Sequence, residues 1–443
     1  MIPVTTGPAT IYRARVFDTP DDPFAGAAFR YGDDVGLVVE GEHIVARGEF
    51  ADVRQAHPGA AVIDLRDGIL LPGLVDTHVH FPQVRAMGAL GMPLLEWLDR
   101  CALPEEQRLA EPAYSALIAG EFVNGLVAAG TTTALVFGSH YASAVDALFS
   151  EATRYGLRVT SGLVVSDRLL PDPLLTTPEA ARDEALALAS RWHGKGRARY
   201  AVTPRFSLSA GDAMLAACSD VLDEVDGAFF TSHVNENVAE VETVRALFPG
   251  HADYTDTYAA FGLLGERSVL AHNVHPGDDE LAVLAATRTV VAHCPSSNSA
   301  LGSGLFPLRR HVDHGVRVAL GCDVGAGTGF SLFKEGLQAY FMQRLLQEEG
   351  LQLTVSHLLW LATRAGALGL GLDDVGVLDE GKAFDAICLR PPAHTSLDVC
   401  LRHAGSPEEA LGQVFALAGD ADVADVWVGG RQIASGGFHR PLS

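Results

Sequence analysis

A chain of 443 residues exceeds the size at which one hydrophobic core stops growing, so a large domain with a smaller companion is the natural arrangement. Its 48% hydrophobic and 20% charged residues are ordinary for a globular protein and exclude long disorder. Fifty-five acidic against 32 basic residues leave a formal charge of −23, which repels phosphate backbones and anionic membrane surfaces; neither a nucleic acid polymer nor a membrane is expected as a partner.

The amino-terminal MIPVTTGPATIYRARVFDTP lacks the basic segment and apolar run of a signal peptide, and no uninterrupted apolar stretch reaches membrane-spanning length. Six single cysteines without CxxC pairs read as reduced thiols, so a cytoplasmic location is expected. Residues 10–65 are short and strand-like (IYRARVF, GLVVEGEHIVARG, AVIDL), broken by Gly, Asp and Pro turns. The texture returns after Gly376 in FDAICL and in VADVWVGGRQIASGG, where alternating apolar residues flank a Gly-Gly turn. The two ends, residues 1–68 and 375–443, are therefore expected to join in one small β-sandwich domain, leaving 69–374 as the large one.

Within that span eight apolar strand candidates alternate with helical stretches: 73–80, 131–137, 158–165, 200–205, 228–233, 268–272, 289–293 and 317–323. Eight in series predict an α/β fold of the closed (β/α)8, TIM-like type over an open sheet. His80, Arg205, His233, His272, His293 and Asp323 each close one of these runs. In a barrel that gathers them on the carboxyl-terminal face, where active sites sit.

From 17 histidines in 443 residues, less than one His-x-His triplet is expected by chance, so His78-Val79-His80 means little by itself. Its context supplies the meaning. The triplet ends a strand opened by Leu71-Pro72-Gly73, and residues two apart on a strand face one side, so both imidazoles can reach one ion. His233 and Asp323 are the best candidates to complete a mononuclear site. In His233-Val234-Asn235-Glu236, a helical turn would bring Glu236 back over the ion. Asp323 lies in ALGCDVGAGTG, whose glycine-rich loop has neither the lysine of a P-loop nor a dinucleotide fingerprint. Of His272 and His293, one is expected to act beside the metal or on the transition state, and His293, in AHCPSSN, has the stronger claim to be a buried histidine satisfied by polar neighbours. His140 and Arg85 read as structural or surface residues. None of the three lysines closes a barrel strand, which favours one metal over a lysine-bridged pair.

The segments LPGLVDTHVHFPQ, TPRFSLS, SHVNEN, AHCPSSN and GCDVGAG resemble the amidohydrolase superfamily, most closely its guanine deaminase branch. The likeness continues through PLLEWLDRCALPEE, GTTTALVFGSH, DYTDTYAAFGLLGERSVLAH and AFDAICLRPP, covering most of the chain in order. It implies an amidohydrolase-type barrel in which His78, His80, His233 and Asp323 hold one zinc, or iron(II), per subunit. It further implies that His272 stabilises the oxyanion, that Glu236 shuttles a proton to a ring nitrogen, and that Gln83, Arg205 and Phe206 hold a purine base in a homodimeric enzyme. The chemistry is coherent: zinc lowers the pKa of its water to roughly 7, Asp323 takes that water's proton, and attack at C2 of guanine leaves xanthine and ammonia. Arg205 offers a fork of donors to a purine carbonyl, and Gln83 can donate or accept. Trp97 and Phe330 compete between sandwiching the base and packing the core.

GCDVGAGTG carries Cys322 and Ala326 where the branch usually has threonine and glycine, and HVNEN carries Val234-Asn235 in place of Ile-Ser. These departures leave room for a shifted substrate. The alternatives are deamination of another amino-substituted heterocycle (8-oxoguanine, a pterin or a triazine) and a non-catalytic barrel scaffold, which should have lost its ligands. A cytidine-deaminase-type site would need His-x-Glu with a later Pro-Cys-x-x-Cys, and neither occurs.

Overall fold

The computed structural model describes residues 9–435; residues 1–8 and 436–443, with the outer ends of both expected β-segments and His439, lie outside the described residues. The chain opens with β1 (Thr10–Asp18), β2 (Arg30–Glu40), β3 (His43–Glu49) and β4 (Ala61–Pro72). The barrel strands follow: β5 (Leu74–His80), β6 (Thr131–Ser139), β7 (Arg158–Val165), β8 (Ala198–Pro204), β9 (Phe229–Val234), β10 (Ser268–His272), β11 (Val290–His293) and β12 (Arg317–Leu320). Each of the eight expected strands is present within a few residues of its expected limits. The chain then returns to the first region through β13 (Ala386–Leu389), β14 (Val423–Val428) and β15 (Arg431–Ser435).

The chain ends build one seven-stranded sheet in the order β15-β14-β13-β4-β1-β2-β3. Gly429 and Gly430, both at positive φ, make the turn between β14 and β15 that the sequence placed there. Cys388 of β13 pairs with Leu70 of β4, so a strand from beyond the barrel is locked to the strand that leads into it.

The barrel strands run parallel in the order β5 to β12, with helices between them. Side chains alternate as a pleated strand requires: Val269, Ala271, Val290 and Ala292 join an inner cluster with Val75 and Ala319, whereas Leu270 and Val291 join the larger core outside. The ends of the sheet close on each other. Asp323 N–H donates to the His78 carbonyl and His80 N–H to the Val324 carbonyl, both at 2.9 Å. Gly321 permits this approach, because a Cβ there would lie 2.8 Å from the His78 Cβ. Closure thus brings the first metal-ligand candidates and the last, some 240 residues apart in sequence, into direct backbone contact.

All six cysteines are free thiols. No helix among the described residues is long and apolar enough to cross a membrane.

Candidate active site

At the carboxyl-terminal mouth the histidines that end β5 and β9 point at one another. His80 Nε2 lies 3.1 Å from Nε2 of both His78 and His233. Asp323, just past β12, sets Oδ1 3.3 Å from Nε2 of His78 and of His80. Burial holds all three imidazoles below their ordinary pKa, and they are neutral at pH 7. Burial alone would raise the Asp323 carboxyl, but His78 bonds it and brings it to about 2. His233 Nδ1 sits 2.6 Å from the Arg205 carbonyl and must donate to it, so its Nε2 carries a lone pair into the cluster. Imidazole nitrogens converging beside an ionised carboxylate make a donor set suited to a divalent cation.

Beside this cluster are His272 and Glu236. His272 Nε2 is 3.5 Å from Glu236 Oε2 and 3.9 Å from Asp323 Oδ2. Burial, with Asp323 nearby, pushes the Glu236 carboxyl well above its usual range; Ser303 Oγ donates to it at 3.3 Å. The expected helical turn does not deliver Glu236. The helix Val238–Leu247 starts two residues later, capped by Asn237. Asn235, at φ 49°, turns the chain instead, and its side chain bonds Asn273 and Glu280. His272, Asn273 and Asp323 share that left-handed geometry. Such positions cost free energy and concentrate at functional sites.

The third corner holds Gln83, Arg205 and a residue the sequence reading passed over, Glu106. Its carboxylate accepts from Gln83 Nε2 at 2.8 Å and from Arg205 Nη1 at 2.7 and 2.6 Å. Both members of this ion pair are 3% exposed in their side chains. Burial opposes the Glu106 charge, yet Arg205 and His140 hold its carboxyl below the usual range. His140 Nδ1 lies 3.5 Å from Glu106 with its side chain buried against the site, so of the two readings, structural or surface, it is the surface one that does not hold. Arg85 is a half-exposed partner of Glu121, in keeping with a structural role. The Gln83 amide nitrogen is also 3.3 Å from His80 Nδ1, and Gly325 N–H donates to Gln83 Oε1 at 3.2 Å. A rule could have flagged the missing carboxylate, since a buried arginine needs one. No sequence pattern says which of 55 acids it is.

Phe206 is buried, its ring 6.2 Å from that of His233. His293 is not satisfied by polar groups as expected. It is fully buried, stacks on Phe306 at 4.1 Å, and neither ring nitrogen has a hydrogen-bond partner among the described residues. Trp97 packs in the apolar core, and Phe330 packs against Phe122 at 5.7 Å, so core packing describes both.

Residues 69–433 match the amidohydrolase family, and residues 36–60 match the imidazolonepropionase-like composite domain of bacteria. A probable guanine deaminase of Deinococcus radiodurans is 60% identical over 95% of this chain and 97% of its own length. The solved guanine deaminase of E. coli superposes with a TM-score of 0.92 at 34% identity, over 97% of this chain and all of that one. A guanine deaminase from C. acetobutylicum, solved with guanine in its active site, superposes with a TM-score of 0.88 at 25% identity, over 96% and 99% of the two chains. The match spans the barrel and the flanking sheet alike, and the chain belongs to the amidohydrolase family, within its guanine deaminase branch.

Proposed function

We propose that this protein hydrolyses guanine to xanthine and ammonia. The observation that carries the reading is the joining, in one mouth, of a cation-ready cluster, a buried carboxyl beside His272 and a donor-rich corner, in a chain so similar to guanine deaminases. His78, His80, His233 and Asp323 are the proposed metal ligands, and zinc the proposed ion. A divalent cation held there supplies a water of lowered pKa at neutral pH.

The chain's own groups account for the remaining steps. Asp323, kept ionised, accepts the attacking water's proton. Glu236 is held protonated by its burial and gives a proton to the ring nitrogen beside C2, and the exocyclic nitrogen leaves as ammonia after a further transfer. His272, within reach of both carboxylates, stabilises the oxygen that gains charge during attack at C2. Arg205 and Gln83 donate to the purine carbonyl, and Phe206 offers an apolar ring beside the base. A division at residues 68/69 and 374/375, a homodimer and a cytoplasmic setting accompany this proposal, supported by the family resemblance and the free thiols.

Turnover of guanine, followed as lost purine absorbance and released ammonia, tests it together with metal analysis of the purified protein. The expected result is xanthine formation with one zinc bound per chain. An enzyme inert toward guanine but active on a pterin, triazine or 8-oxoguanine would overturn the assignment.

A further inference from the structure

The corner formed by Gln83, Glu106 and Arg205 has a polarity that hydrogen bonding fixes. Gly325 N–H can only donate, and it occupies the Gln83 carbonyl oxygen. Arg205 cannot lose its proton, and its Nη1 contacts both Glu106 oxygens, so the carboxylate is held as an acceptor. The Gln83 amide must then turn its NH2 edge toward Glu106. Every side-chain hydrogen bond of Arg205 among the described residues runs through Nη1, which leaves the N–H groups of Nη2 and Nε for a ligand. What Arg205 can offer a heterocycle at this edge is therefore N–H donors and no acceptor.

We propose that Glu106 is a specificity-determining positioning residue: by anchoring Arg205 through Nη1 and leaving its Nη2 and Nε donors for a ligand, it commits the site to a ring carrying a carbonyl at this edge and rejects one carrying an amino group there. The inference rests on the deaminase reading above and adds the residue that enforces its choice of ring. Guanine and 2,6-diaminopurine present the same 2-amino group for hydrolysis and differ at position 6, carbonyl in one and amino in the other. Two donors facing an amino group leave buried N–H groups unpaired, the kind of mismatch that sites exploit for large discrimination. With glutamine at position 106, that side chain can offer either its oxygen or its nitrogen. Gly325 N–H still holds the Gln83 oxygen, but Arg205 loses the anchor that aims its free N–H groups.

The test is the ratio of kcat/KM for guanine to that for 2,6-diaminopurine, measured on purified, metal-loaded enzyme. Wild type should favour guanine by about 10^4-fold. Glu106→Gln should lower the ratio by about 100-fold, mainly through KM, and Glu106→Asp, which keeps the charge but shortens the reach, by about 10-fold. A role confined to stability would lower activity on both bases alike and leave the ratio unmoved. If Glu106→Gln fails to fold, Glu106→Asp and wild type decide: an unchanged ratio in a folded variant, or a wild type that accepts both bases equally, overturns the proposal. Wild type inert toward both bases would overturn the deamination reading itself, and guanine turnover with an unmoved ratio would overturn this proposal alone.

Discussion

Two buried carboxylates on opposite sides of the mouth, Glu236 and Glu106, are governed by their partners. Glu236 faces His272 and Asp323 without a cation bonded to it, and its carboxyl rises well above the usual range. Glu106, buried as deeply, has Arg205 on both oxygens and falls below it. One side of the site thus keeps a proton to give, and the other keeps a charge to orient its neighbours. Burial by itself raises a carboxyl's pKa, and a bonded cation such as Arg205 reverses that direction.

The largest effect should come from breaking the proton-bearing side. Glu236→Gln should retain fold and bound metal while kcat falls about 10^3-fold, since it removes the acid and little volume; kinetics beside metal analysis measure both, and near wild-type turnover would reject the role. On the opposite side, Arg205→Met should destabilise the fold by about 3–5 kcal/mol in urea unfolding, because it strands the Glu106 charge. Adding Glu106→Gln should recover part of that loss, and a double variant no more stable than the single one would refute the pairing argument. Between them, His233→Ala should weaken metal affinity by at least about 100-fold in chelator competition, more than loss of an orienting group alone. Unchanged affinity would remove His233 from the ligand set.

The smallest effect sharpens the rule away from the site. Glu335 is buried with Ser296 N–H as its bonded neighbour at 2.9 Å, and burial lifts its carboxyl from 4.5 to about 8. Between those pH values the folded state keeps a proton that the unfolded chain has released, so unfolding sheds a proton and stability falls as pH rises through the window. Glu335→Gln should flatten that part of the stability curve, read from urea midpoints between pH 5 and 8. A slope identical to wild type would show that Glu335 is ionised in the folded state.

Much of this architecture was written locally. Alternating apolar runs ending in His80, His233, His272 and Asp323 identify eight barrel strands and the face where their last residues meet, because period-two burial and strand polarity are local properties. The Gly429-Gly430 turn was legible for the same reason: positive φ at two successive residues favours glycine. The sequence also determined the types of groups available at the mouth, three imidazoles and a carboxylate among them. Tertiary structure decided the rest. Glu106 meets Arg205 from 99 residues away, and His140 joins them, contacts that leave no periodic trace. The left-handed turns at Asn235, His272 and Asp323 aim side chains in ways that strand parity cannot foretell. His293 has the same residue type and strand-end position as His272, yet one stacks on Phe306 and the other faces the two site carboxylates. Their difference lies in what surrounds them, and those surroundings form only when distant segments pack.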